Sequence, residues 1–243
     1  MKKFNKSKVI IPALAMIALS TAASATGTVA WFAANGAVSV SGLQVGIKND
    51  NVFLLVSKTN TDAEDIQEEN QTSITESGSV SLAPSHPKVT IDNLTKAGTL
   101  SNWETGTSNN PGESTPENGV SLAPLSTFDG FVRRYDYHLT LAKGSADAYN
   151  LKVSSYTITA TNSKSIDAVR ALFATSAAAQ TFSSSDSTPA DNTVLAASMN
   201  DSSVVDLSVF VYYDGTDASV YTNNANLDGA SISFSLSVSA TNA

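Results

Sequence analysis

The side chains that could do chemistry are few in this 243-residue chain, which has two histidines, His86 and His138, and no cysteine. Without cysteine there is no thiol nucleophile, no disulfide and no Cys-ligated zinc. The histidines lie far apart and neither belongs to an H-E-x-x-H helix, so zinc chemistry has no motif. His138 follows Asp136 by two residues in an alternating segment, and serine is abundant. A Ser-His-Asp relay is therefore possible by arithmetic, but the G-x-S-x-G elbow and the oxyanion-hole signature that go with one are missing. No glycine-rich phosphate loop of either common spacing occurs. Carboxylates cluster from 59 to 79 (Asp62, Glu64, Asp65, Glu68, Glu69, Glu76) without the alternating Asp/Asn and Gly of a calcium loop, and read as a solvated loop. Asp214-Gly215-Thr216-Asp217 reads as a hairpin turn rather than a metal site. The expectation is a non-enzymatic protein with no catalytic, metal or cofactor-binding residues.

The elements that would carry any function are strands. Hydrophobic residues are 42% of the chain and charged residues only 15%, with Ser, Thr, Val and Ala dominant, which suits sheets with polar outer faces. Gly36–Ile47 alternates, with Gly42 predicted to be a bulge that resets the register. Val52–Val56 is a more continuous apolar run, as in a strand buried on both faces. Phe131–Leu141 alternates Tyr135, Tyr137, Leu139 and Leu141 against Arg134, Asp136, His138 and Thr140. Leu151–Thr161 follows, with a register shift near Ser154-Ser155. Val205–Tyr213 and Ile232–Ala240 give the firmest alternation, and Val194–Met199 reads as a short edge element. Residues 165–180 fit either a helix capped by Ser165 or a strand over Val169–Ala174. The pentapeptide Val80-Ser81-Leu82-Ala83-Pro84 recurs as Val120–Pro124, each copy read as a short strand ending at its proline. The long polar stretches near 59–79 and 95–119, the second holding an isolated Trp103, read as surface insertions, and 180–192 as a loop. Eight or nine strands with little helix predict an all-β, antiparallel β-sandwich, jelly-roll-like, with long surface loops.

The N-terminus places this sandwich outside the cell. Residues 1–8 are basic, Val9–Leu19 is apolar, and Ala23-Ser24-Ala25 offers a small-residue cleavage site. The reading is a signal peptide over 1–25, a candidate donor strand over 26–41, and a single β-sandwich domain over 42–243. Cleavage after Ala30 is a second option, and a pilin-like subunit with a retained N-terminal helix is the alternative. Net charge is −8, and loss of the four leader lysines makes it −12. An acidic chain without a basic patch excludes nucleic acid and anionic lipid as natural partners, and no membrane association is expected once the signal is removed. The expected location is extracellular, or the cell surface of a prokaryote.

Trp31-Phe32-x-x-Asn35 soon after the signal, the run to Ser41-Gly42-Leu43-x-Val45, the Tyr135–Leu141 strand and the closing Gly229–Thr241 segment resemble secreted TasA/camelysin-type proteins. That family is processed by a SipW-type signal peptidase. The resemblance covers about a third of the chain and implies a jelly-roll subunit of extracellular biofilm-matrix fibres. It also implies self-association into a homopolymer by donor-strand contacts, the N-terminal segment completing the sheet of the next subunit. Ala30, Trp31, Phe32, Val38 and Val40 would form that interface, in a stretch with no charge. The competing expectation is a monomeric β-sandwich adhesin that uses Trp103 and the acidic loop to hold a ligand.

Overall fold

The computed structural model describes residues 39–46, 52–76, 82–105, 123–160, 168–183, 193–217 and 230–239. The chain divides into two units, Met1–Ala34 and Asn35–Ala243, and every described residue belongs to the second. Twelve strands form among them: β1 (Ser39–Gly46), β2 (Leu54–Ser57), β3 (Pro84–Pro87), β4 (Trp103–Thr105), β5 (Ala123–Pro124), β6 (Val132–Leu141), β7 (Ala148–Ala160), β8 (Val169–Ala174), β9 (Ala179–Ser183), β10 (Ala196–Met199), β11 (Val205–Asp214) and β12 (Ala230–Ser239). Two short helices, α1 (Ala63–Glu69) and α2 (Leu94–Ala97), and a 3-10 turn at Leu100–Asn102 complete the described elements.

The fold is an all-β sandwich. The first sheet has the order β1-β12-β7-β10. The second runs β2-β6-β11; β8-β9 continues it along Ser208–Tyr213 of β11, and β3-β4-β5 joins β11 at Tyr213 and Asp214. Successive long strands change sheet: β6 and β7 lie in different sheets, as do β10, β11 and β12 in turn, with β8-β9 a hairpin. This is a jelly-roll-like arrangement, in which each strand's apolar side meets its chain neighbour across the core rather than beside it. Most ladders are antiparallel, while β1 with β12 and β3 with β11 are parallel.

The main core lies between the sheets. Tyr135, Tyr137, Leu139 and Leu141 of β6 and Leu207, Val209, Val211 and Tyr213 of β11 face Leu151 and Val153 of β7 and Ile232, Phe234, Leu236 and Val238 of β12. The alternation read in β6, β11 and β12 is thus the inward side of the two sheets. Phe173 bridges them, in edge contact with Phe234 at 4.8 Å and Phe182 at 5.6 Å. The bulge foreseen at Gly42 falls between Ser41 and Leu43. The shift foreseen at Ser154-Ser155 lies in the β7–β12 ladder between the pairs Ser235↔Ser155 and Leu236↔Val153.

Several local readings are corrected. Within 59–79 the chain forms α1, invisible as a helix because only Ile66 of its seven residues is buried, which leaves no apolar period to see. Within 95–119 lie the 3-10 turn and β4. Part of 180–192, Gln180–Ser183, belongs to strand β9, and 165–180 resolves as strand over Val169–Ala174. Pro84 begins β3 instead of ending a strand, since the first residue of a strand can do without a donor. Asp214-Gly215 is a turn but not a hairpin, because the next described strand, β12, belongs to the other sheet.

Candidate functional site

Sheet geometry decides what each chemically interesting residue can reach. On the outward side of the second sheet, three residues stand in one cross-strand row. Ser57 of β2 is opposite His138 of β6, and His138 is opposite Asp206 of β11. Directly opposed residues share a face, so the row has the order of a Ser-His-Asp relay. Nδ1 of His138 lies 2.7 Å from Oδ1 of Asp206. The serine, however, is fully committed. Its hydroxyl donates to Oε2 of Glu69 at 2.6 Å and accepts the backbone N–H groups of Asn60 at 3.0 Å and Thr59 at 3.2 Å. Its one proton and both lone pairs are used, and Ser57 is completely buried. The hydroxyl anchors the turn into α1 and has no lone pair left to attack a substrate.

Around this row the outward face is a closed polar network. Asp136 accepts from Ser208 and from Nε of Arg134, the latter at 2.8 Å. Thr140 donates to the Ser203 carbonyl at 2.7 Å. Nε2 of Gln67, on α1, donates to the carbonyls of Leu141 and Asp201. The acidic stretch is tied down in the same way: Lys58 pairs with Glu76 at 2.6 Å, and Glu64 and Asp65 occupy the first turn of α1. Burial pushes the Tyr137 phenol well up, and the Glu76 carboxylate beside it adds to that shift. Among the described residues no group of three or more His, Asp or Glu side chains is placed to hold a metal ion. At the end of β11, Arg170 lies 3.4 Å from Asp214 and 2.9 Å from Asp217, so a guanidinium sits where a bound cation would be expected.

Trp103 is corrected from loop residue to core centre. It is fully buried, its indole N–H donates to the Ala97 carbonyl at 2.8 Å, and its ring packs on Tyr212 at 5.1 Å, Phe128 at 6.0 Å and Phe210 at 6.2 Å. Residues of 91–103 and 125–132 thereby close the apolar half of the second sheet's outward face, with Leu125, Val132 and Leu172 in the same cluster. A tryptophan buried in this way cannot stack on a ligand. The sequence signal for this role was the run Leu172, Phe210 and Tyr212, large apolar residues on the outward phase of two strands, which needs a cover.

The N-terminal interface candidates divide. Ala30, Trp31, Phe32 and Val38 lie outside the described residues. Val40 lies in β1, where it is opposite Ile232 of the same chain in a parallel ladder that runs from Ser39↔Ser231 to Gly46↔Ser237. β1 is one of the two edge strands of its sheet, with β10 the other, and among the described residues it pairs with β12 alone. Within the described residues no helix is long and apolar enough to cross a membrane. Comparison with protein-family models, with curated proteins and with solved structures finds no match.

Proposed function

We propose that the protein is a secreted structural subunit of extracellular fibres, polymerised by an N-terminal strand that pairs with β12 of the next copy. The observation that carries this is the attachment of β1. A marginal strand held by one parallel ladder, to a partner some 190 residues away in the chain, keeps the same contacts whether β12 belongs to its own copy or a neighbour's. The uncharged segment that contains β1, from Val9 to Ile47, removes the electrostatic obstacle to such an exchange in an acidic protein. The contact is head to tail, so it propagates instead of closing. The TasA/camelysin resemblance of the first and last strands points the same way.

The test uses the absence of native cysteine. Gln44 is opposite Ser235, so a Gln44→Cys chain and a Ser235→Cys chain are mixed and oxidised. Intermolecular disulfides in filaments are the expected outcome, together with soluble monomers when residues 26–46, which include all of β1, are deleted. Filaments of normal abundance from that deletion would refute the exchange. The monomeric adhesin loses one of its two supports, because Trp103 is inside the protein.

A further inference from the structure

Three Asn-x-Ser/Thr triplets fall among the described residues: Asn70-Gln71-Thr72, Asn93-Leu94-Thr95 and Asn200-Asp201-Ser202. In an exported chain such a triplet accepts an N-linked sugar when the amide and the hydroxyl two residues on can both be reached. The structure separates the three. Asn93 is half-buried and caps α2: its Oδ1 accepts the Lys96 N–H at 3.0 Å, and the Leu94 N–H donates to the Thr175 carbonyl at 2.7 Å. Asn200 is exposed, but its Oδ1 accepts both the N–H of Ser202 at 3.0 Å and the Ser202 hydroxyl at 2.9 Å, so this triplet is closed on itself. Asn70, Gln71 and Thr72 are all exposed, as is Ser73 after them. Asn70 ends α1 with a φ of +51°, a left-handed conformation that asparagine tolerates. Only the backbone here is held: the Asn70 N–H donates to the Ile66 carbonyl at 3.0 Å, and the Gln71 carbonyl accepts the Val56 N–H at 2.9 Å. The side chains of Asn70 and Thr72 make no hydrogen bond among the described residues.

We propose that Asn70 is an N-glycosylation site. The inference rests on the secreted part of the reading above, because the sugar is transferred outside the cytoplasm. The donor class is a sugar carried on a polyprenyl diphosphate, and a membrane-bound transferase brings it to the chain. Nδ2 of Asn70 forms a bond to the anomeric carbon, and the bond from that carbon to the diphosphate oxygen breaks. The diphosphate leaves with the bonding electrons, one amide proton passes to the transferase, and nothing is oxidised or reduced. The hydroxyl of Thr72 is free to orient the amide during transfer, whereas that of Ser202 is already used. The position has a consequence for assembly. Through the Gln71–Val56 bond the triplet lies along β2, an edge strand of the second sheet that also carries the exposed Phe53. A glycan there shields that edge from pairing with another copy, which confines strand exchange to the ladder of β1 with β12.

The experiment takes the mature chain from the medium of the cells that make it and maps its tryptic peptides by mass spectrometry. Wild type, Asn70→Gln, Thr72→Ala, Thr72→Ser and Asn200→Gln are compared, with circular dichroism melts to confirm folding. A sugar mass on the peptide that holds Asn70 is expected. It should be lost completely in Asn70→Gln and Thr72→Ala and kept in Thr72→Ser and Asn200→Gln. A sugar carried by Asn93 or Asn200 while Asn70 is bare overturns the proposal, as does a sugar that survives Thr72→Ala. A secreted, cleaved chain bare at Asn70 rejects this inference and leaves the fibre reading standing. Glycosylated chains that never form filaments reject the fibre reading and keep this one. A chain found only inside cells with its leader intact rejects both.

Discussion

The two sheets of the sandwich are put to different uses. The second sheet is covered on both sides: β11 sends Leu207, Val209, Val211 and Tyr213 into the main core and Phe210 and Tyr212 into the cluster around Trp103. What remains of its outer surface is polar and carries the pairs His138–Asp206, Arg134–Asp136 and Arg170–Asp214. The four strands of the first sheet carry one charged residue, Lys152. One sheet spends its outward residues on its own stability. The other holds β1 through a single parallel ladder to β12, and the proposed contact between copies lies there.

Substitutions can break this contrast or sharpen it. The largest effect is expected from Trp103→Ala, about 3–5 kcal/mol of unfolding free energy, the usual cost of removing a large buried aromatic ring. Phe173→Ala in the main core should cost a similar amount in chemical denaturation. A cost well below 1 kcal/mol for Trp103→Ala would reduce the second core to an ornament. Alkaline pH comes next, because it reaches both cores at once. Burial raises the phenol of Tyr137, which faces the main core, and that of Tyr212, which faces the second. A folded-state pKa raised above the unfolded value means the protonated phenol is favoured by folding. The stabilisation is complete below about pH 10 and is lost as pH climbs above it, by about 1.4 kcal/mol per tyrosine at pH 11. Thermal melts at pH 8 and 11 should differ accordingly, and Tyr212→Phe should flatten part of that slope.

Arg170→Ala, which leaves Asp214 and Asp217 without their half-buried guanidinium, should cost about 1.5–3 kcal/mol. Gly130→Ala tests the turn that leads into β6. Its φ is +78° with nothing within 4 Å of an added Cβ, so only the left-handed backbone is penalised, by about 1–2 kcal/mol. The smallest effect on stability belongs to the first sheet: Ser237→Asp, opposite Lys152, should shift unfolding by no more than about 0.5 kcal/mol. A large loss of stability from that substitution would mean that this position is already covered within one chain.

How much of this was legible follows from the period of the residues. Strands β6, β11 and β12 alternate over ten residues each, and both bulges are marked by Gly42 and by Ser154-Ser155, so these elements could be read directly. β11 also carried the hint of a second core, as Phe210 and Tyr212 occupy the phase that should be polar. The cover itself could not be read. Trp103 sits in a three-residue strand after one turn of 3-10 helix, and elements that short have no period. α1 hid for a related reason, since one buried isoleucine in seven residues makes no stripe. The Ser57–His138–Asp206 row depends on the register of three strands drawn from residues 54 to 214, and local pattern does not specify register between distant segments.

The amino-acid sequence by itself determined that the chain builds strands, which side of each long strand faces inward, that thiol chemistry is excluded, and that the segment from Val9 to Ile47 has no charge. Each of these follows from the identity of neighbouring residues. Only the tertiary structure decided that Trp103 is a core residue, that Ser57 has no lone pair to offer, that Arg170 fills the gap between two aspartates, and that β1 pairs with the last strand of the chain. Those properties belong to pairs of segments far apart in the chain, and they exist only once the strands have chosen their neighbours.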